Sequence, residues 1–389
     1  MSAPAYRPDI DGLRALAVLS VLFYHVDPFL LSGGFLGVDI FFVISGYLIS
    51  LIVFRELAQG EFSFSHFYAR RVRRLFPALI AVILACLVFG GFALFAEEYQ
   101  RLGRHAVAAI SFLLNFLLMR EAGYFNVVSD AKPLLHLWSL SVEEQFYLVW
   151  PVLLLFAARV RLKTGVLLVA LVVGSFAFAL HLGQTRLDAL YFHPLARFWE
   201  LLFGAGLAYV HHRFGVGALQ TRLKWLWGQH LLSLAGLVAI CAAMCLFDSK
   251  TPHPSWPTLL PLLGAVALIA SGPLAMGNRV LAFKPLVWVG LISYPLYLWH
   301  WPLLSFVRIM ESGAPSSLML WGGAGAAVLL AWGTYRFVER PLRFSSKSRA
   351  VLLGLVAGMG LTLVVAGLVW QTGGCRGARV LGMRRMLLP

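Results

Sequence analysis

Residues 33–50 read GGFLGVDIFFVISGYLIS, with Asp39 as their one charged side chain. No polar–apolar alternation runs through them, and the apolar character continues to residue 54. About twenty such residues in an α-helix cover the roughly 30 Å hydrocarbon core of a bilayer. A helix satisfies its own backbone hydrogen bonds, so this segment is expected to span a membrane.

Runs of the same kind recur along the 389 residues, which are 60% hydrophobic and 13% charged, with a mean hydropathy of +0.81. That composition excludes an ordinary soluble domain. Candidate spans fall at 12–31, 35–54, 75–96, 137–158, 165–182, 195–211, 231–247, 257–273, 285–307, 318–338 and 350–370. The expected fold is an all-α polytopic membrane bundle of about ten or eleven transmembrane helices. Segment 105–119 is apolar but short and lies between Arg104 and Arg120, so it is expected to be re-entrant or interfacial. With the N-terminus in the cytoplasm, this arrangement puts most of the 32 Lys and Arg residues on the inner side. Topology thus accounts for the net charge of +15, and no nucleic-acid partner is expected.

The first apolar run follows Asp9 and Asp11 and lacks a small-x-small exit, so it does not read as a cleaved signal. Cys86, Cys241 and Cys245 lie in apolar runs and are expected to be small buried hydrophobes. With Cys375 they form neither a CxxC pair nor a metal-ligand spacing, so no metal is expected. Trp138, Tyr147 and Trp150 read as interfacial belt residues. No internal repeat and no second soluble domain is visible.

Ionisable groups inside such runs are costly and are functional candidates by default. In DGLRALAVLSVLFYH, residues 11–25, Arg14 and His25 are eleven positions apart. Eleven steps of about 100° are close to three turns, so both share one helix face, separated by roughly 16 Å of rise. His25 suits proton transfer because its pKa lies nearest neutrality. In FYARRVRRLFPAL, residues 67–79, Arg70, Arg71, Arg73 and Arg74 gather at the inner mouth of a span. Arg71 and Arg74 are three apart and point the same way, and a guanidinium fork suits phosphate. Asp39 enters its span from the outer side, at a depth where it could orient His25; a helix-end cap is the plainer reading. LLHLWSLSVEEQFYLVWP, residues 134–151, brings His136, Glu143, Glu144 and Gln145 to another outer entrance. Glu144 could bind an acceptor hydroxyl or hold a histidine, or simply complement the helix dipole. Glu200 lies inside ARFWELLFGA and invites a partner such as Arg197; His300 reads as a packing residue, and Glu339 in YRFVERPLR as a salt-bridged helix end.

Taken in order, these stretches resemble the acyltransferase 3 family of integral membrane acyltransferases, nearest to its O-antigen and peptidoglycan acetylase branch. The resemblance runs from YRPDIDGLRALAVLSVLFYH through ISYPLYLWHWP to YRFVERPLR, about residues 6–343. It implies transfer of an acyl group, usually acetyl, from cytoplasmic acyl-CoA to a hydroxyl of an extracytoplasmic carbohydrate, in a bacterial cytoplasmic (inner) membrane. O-antigen lipopolysaccharide and peptidoglycan are among the acceptors it allows. The family's Arg-x10-His pair falls on Arg14 and His25. Its Arg-x-x-Arg element, three residues before a proline, falls on Arg71 and Arg74; Arg70 and Arg73 share the spacing but not the distance to Pro77. Its acidic element falls on Glu143 and Glu144. Acyl-CoA is implied as donor substrate, with no permanently bound cofactor. Many relatives continue into a secreted SGNH-type domain, which is not expected here: residues 1–343 read as the transmembrane domain and 344–389 as an extra helix with a short basic tail. A separate periplasmic acyl-transfer partner is one consequence of that reading. The alternative from the residues alone is a transporter or flippase for a glycan precursor, with Arg14, Asp39 and Glu200 as a proton relay. Paired halves with matching broken helices, which that alternative favours, are not seen in the sequence.

Overall fold

The computed structural model describes residues 6–121, 129–215 and 227–372, and among them every regular element is helical. In chain order these are α1 (Pro8–Val26), α2 (Gly37–Gln59), α3 (Phe64–Ala93), α4 (Ala96–Ile110), α5 (Leu114–Glu121), α6 (Leu137–Arg159), α7 (Thr164–Thr185), a short α8 (Leu187–Leu190) and α9 (Pro194–Phe214). There follow α10 (Gly228–Leu246), α11 (Leu259–Ser271), α12 (Met276–Leu281), α13 (Lys284–Leu291), α14 (Ser293–Met310), α15 (Ser317–Gly333), a short α16 (Arg340–Arg343) and α17 (Ser348–Thr372). The all-α polytopic membrane fold is as the sequence implies. Among the described residues, seven helices are long and apolar enough to cross a membrane.

The remaining expected spans are also helical, and each departs from a plain span for a visible reason. Asp9, Asp11 and Arg14 crowd α1, and α9 carries Arg197 and Glu200. α11 has only 13 residues. The run 285–307 is broken at Ile292 into α13 and α14. Pro295 explains the break, since it has no N–H to give the carbonyl of Leu291 in a continuous helix. The short segment around 105–119 is two helices with a corner at Ser111–Leu113. Phe112 takes a φ of 54° there, and the Leu113 N–H closes on the Ala108 carbonyl at 2.8 Å, a Schellman-type stop.

The described residues fall into two compact units, one within 1–62 and 142–293, the other within 63–141 and 294–389. The 343/344 division read from the sequence lies inside the second unit. The basic tail, 373–389, lies outside the described residues.

In the first unit α2 packs along α9 backbone to backbone. A Cβ on Gly46 would land on the carbonyl of Leu201, and one on Gly204 on the carbonyl of Val43. α1 meets α12 and α13 in the same way, with Gly12 against the Leu281 carbonyl and Gly290 against that of Asp11. Small residues permit such close approach of membrane helices, where packing replaces the hydrophobic drive. Gly46→Val is therefore expected to cost roughly 3 kcal/mol, the upper end for overpacking, because a backbone cannot move aside as a side chain can. Gly206→Ala, on α9 but facing open space, is the matched control. Thermal melting of the detergent-solubilised protein checks this, and equal midpoints for the two variants would overturn it.

In the second unit α17 packs on α3 and α4, and a π-helical turn at Thr334–Glu339 packs on α3. The Tyr294 hydroxyl donates to the Leu75 carbonyl at 2.9 Å, and the Trp299 indole to Thr334 Oγ1 at 2.9 Å.

Two sequence expectations are corrected. Trp138, Tyr147 and Trp150 are buried rather than belted at an interface. For Trp150 the reason is plain: its indole N–H finds Ser50 Oγ at 2.8 Å inside the first unit. Cys86 is buried, but Cys241 and Cys245 are exposed on α10, on a face that no other described residue covers. Apolar side chains on a membrane helix need no protein cover, because lipid tails are as apolar as they are.

Candidate functional site

Helix α1 carries both members of the Arg-x10-His pair. Pro8 sits in its first turn, where a missing N–H costs nothing. Arg7 donates two bonds to Asp9, at 2.8 and 2.6 Å, and Asn278 Nδ2 donates a third at 2.8 Å. This polar knot ties the start of α1 to α12. One turn on, Arg14 Nη1 reaches Asp11 Oδ1 at 3.3 Å, while the Tyr6 hydroxyl donates to Asp11 Oδ2 at 2.7 Å. His25 lies in the last turn, half-buried, its ring edge-on to Tyr24 at 5.4 Å.

Asp39 does not orient His25. Its carboxylate, fully buried in the first turn of α2, accepts from Arg197 Nη2 at 2.7 Å and lies 3.4 Å from His253 Nε2. Arg197 Nη2 is also 3.2 Å from Glu200 Oε2, so the pairing of Arg197 with Glu200 expected from their spacing is present. A guanidinium one turn away on the neighbouring α9 outcompetes an imidazole for a buried carboxylate, because it is always charged and offers several donors. The ring of Phe35 meets both Tyr24, at 5.5 Å, and His253, at 5.2 Å. Aromatic packing thus runs from the His25 end of α1 to this cluster. Burial holds the His253 imidazole below its ordinary pKa, with Asp39 pulling the other way.

On α6, Glu143 accepts short bonds from the hydroxyls of Ser45 and Tyr147, which joins α6 to α2 within the first unit. Glu144, the next residue, is half-buried on a different face of α6. An apolar cavity of about 360 Å³ lies between α6, α7 and α9, lined by Phe146, Trp150, Phe178 and Phe198 among others. None of the site residues expected from the sequence lines it.

The arginine cluster lies in the second unit, on the first turns of α3. Ser63 caps that helix by accepting from the His66 N–H. Arg71 is buried, whereas Arg70, Arg73 and Arg74 are half-exposed. Arg70 Nη1 reaches His66 Nδ1 at 3.2 Å, one turn back. Pro77 has no N–H for the Arg73 carbonyl, which opens the backbone within the cluster. Glu339 on the π-helical turn is buried, with Arg343 Nη1 at 3.3 Å, as expected of a salt-bridged helix end. π-bulges recur at functional sites.

Elsewhere in the second unit, Glu121 accepts from Arg104, from His105 Nε2 at 3.0 Å and from Lys132 Nζ at 3.0 Å. Burial works against its ionisation, but His105 and Lys132 outweigh that and hold its carboxyl well below the usual range. His136 is buried with its ring 5.3 Å from Tyr297 and 5.6 Å from His300. His300 Nδ1 faces the Tyr297 carbonyl at 2.6 Å, the bond of a packing histidine.

Sequence reasoning missed His253 and the Glu121 cluster. His253 did leave a signal, since Pro252 and Pro254 flank it and restrict its backbone. Among the described residues no group of His, Cys, Asp and Glu is arranged to hold a metal.

Comparison with known proteins bears on these elements together. The chain is 31% identical over 353 residues to peptidoglycan O-acetyltransferase OatA of Listeria monocytogenes, covering 87% of this chain and 56% of that protein. It is 32% identical over 381 residues to the putative peptidoglycan O-acetyltransferase YrhL of Bacillus subtilis, covering 93% and 59%. Against O-acetyltransferase OatA of Staphylococcus aureus the identity is 33% over 364 residues, covering 88% and 58%. The chain thus spans somewhat under three fifths of the length of these relatives. No solved structure matches it. Residues 7–336, which hold α1, the arginine cluster of α3, the Asp39–Arg197 cluster and Glu143–Glu144, match the acyltransferase domain, and the chain belongs to the acyltransferase 3 family.

Proposed function

We propose that this protein moves an acyl group, acetyl in the first instance, from cytoplasmic acyl-CoA to a hydroxyl of a cell-surface glycan. The observation that carries this reading is its likeness, over nearly the whole chain, to proteins named as O-acetyltransferases, two of them as peptidoglycan O-acetyltransferases. Peptidoglycan is accordingly the first acceptor to test, and a lipopolysaccharide O-antigen the second. The setting proposed is the bacterial cytoplasmic membrane.

The residues divide the work by their chemistry. Arg71 and Arg74 face one way on α3 and hold the phosphates of acyl-CoA, with Arg70 and Arg73 adding positive field around them. Arg14 holds the donor further along. His25 removes the proton of the acceptor hydroxyl as that oxygen attacks the thioester carbonyl, and the thiolate of coenzyme A leaves and takes up a proton. In a two-step variant His25 carries the acyl group between thioester and hydroxyl. Glu144 is the carboxylate left to orient His25 or the acceptor, since Asp39 is committed to Arg197. Whether the glycan is reached directly or through a separate periplasmic partner is part of the same proposal.

The test is expression in a host lacking its own glycan O-acetylase, followed by mass spectrometry of peptidoglycan and O-antigen fragments. An added acetyl mass on either supports the reading. Unchanged glycans, together with no acyl-CoA turnover by the purified protein, would overturn it and favour a flippase. In the purified enzyme, Arg71→Ala is expected to raise KM for acyl-CoA by roughly 10-fold or more. That is the loss of one charge-assisted phosphate contact worth about 1.5–3 kcal/mol. An unchanged KM would remove Arg71 from donor binding.

A further inference from the structure

We infer that Asp39 and Glu200 share a single proton, as a carboxyl–carboxylate pair clamped between Arg197 and His253 inside the first unit. The four groups come from α2, from α9 and from the loop before α11. Asp39, Arg197 and Glu200 are all fully buried. Arg197 Nη2 touches both acids, at 2.7 Å to Asp39 Oδ1 and 3.2 Å to Glu200 Oε2. Both acids therefore crowd a single guanidinium nitrogen. Asp39 Oδ2 and both oxygens of Glu200 are buried without a hydrogen-bond donor among the described residues.

A charge count follows from the hydrogen-bond directions. Arg197 Nη1 points at His253 Nε2 at 2.9 Å, and a guanidinium has only donors. Nε2 therefore presents its lone pair, and the ring proton sits on Nδ1, where Thr258 Oγ1 accepts it at 3.1 Å. In this arrangement His253 is neutral. The rings of Tyr191 and Phe42 each lie 5.5 Å from the Arg197 guanidinium carbon and add no charge. One guanidinium faces two carboxylates. Two bare carboxylates on one guanidinium nitrogen in a dry interior repel, and such pairs resolve the conflict by keeping one proton between them. A proton on Glu200 or Asp39 brings the cluster to neutrality and supplies the donor that the buried oxygens lack. His253 is the place for a second proton, because Nε2–H would then turn from Arg197 to Asp39, 3.4 Å away. Nothing in the transfer chemistry proposed above requires this site, which makes it a separate proton-binding element.

Infrared spectroscopy of the lipid-embedded full chain tests this without turnover. At neutral pH the wild type is expected to show a carboxylic-acid C=O stretch that is missing from Glu200→Gln. That variant is isosteric, and its amide can still donate to Asp39. The same band is expected to vanish in Asp39→Asn, because Glu200, left alone with Arg197, ionises. A band that survives in Asp39→Asn would mean a solitary protonated glutamate, and no difference between wild type and Glu200→Gln would mean no shared proton. Either result overturns the inference. Failure of acyl transfer would leave the infrared result standing.

Discussion

Arg197→Ala is expected to strip the first unit of about 3–5 kcal/mol, the usual cost of removing one partner from a buried ion pair. The charge it leaves behind is the reason. Asp39 is fully buried, and its described partners are Arg197 and His253. Glu200 is equally buried, with Arg197 as its cation. Water cannot reach either acid, so the variant must keep both neutral or bury a bare charge. A fall in melting midpoint on the order of 10 °C is expected, since 1 kcal/mol moves the midpoint by about 2–4 °C in domains of this scale. The measurement is a melt of detergent-solubilised protein followed by size-exclusion chromatography. Neutralising both acids together, as Arg197→Met with Asp39→Asn and Glu200→Gln, is expected to recover most of the loss. A midpoint for Arg197→Ala within about 2 °C of wild type would show that solvent reaches the cluster.

His25→Ala is expected to act in the opposite manner, on rate and not on fold. His25 is half-buried in the last turn of α1, where truncation opens no sealed cavity. A positioned general base contributes about 10²–10⁴ in rate, so kcat for acyl transfer should fall by at least roughly 100-fold. KM for acyl-CoA should stay within about twofold, because a group acting on the hydroxyl proton makes its contact in the transition state. The melting midpoint should match wild type. Acyl mass on the glycan at wild-type levels, with equal amounts of inserted protein, would sink the role and send the search to Glu144 and His136.

The membrane fold was legible because it depends on length and apolarity alone, which a chain cannot hide. α2, α6, α7, α10 and α17 lie within a few residues of their expected bounds. The Arg197–Glu200 contact was legible for a local reason, since residues three apart on a helix are neighbours. What could not be read was tertiary. Asp39 looked free to serve His25 until α9 brought Arg197 to it, and His253 joins from a loop more than two hundred residues away in sequence. Trp150 has the composition of a belt residue, and only Ser50 on another helix decides that its N–H is satisfied inside. The corner at Phe112 carries no glycine, so nothing in the sequence announces a left-handed residue there. The break at Ile292 could have been read from Pro295, had the long apolar run not overridden it.

The backbone contacts of α1 have a bearing on what the protein can accept. At Gly12 and Gly290 no side chain separates α1 from α12 and α13, so no rotamer change there can let that helix slide. Arg14 and His25 then stand on a fixed ruler, roughly 16 Å from mark to mark. On the proposed acyl-transfer reading, a donor gripped at Arg14 must bring its own reach: a long flexible arm presents an acyl group at His25, whereas a compact activated acyl compound such as an acyl phosphate is too short to span the distance.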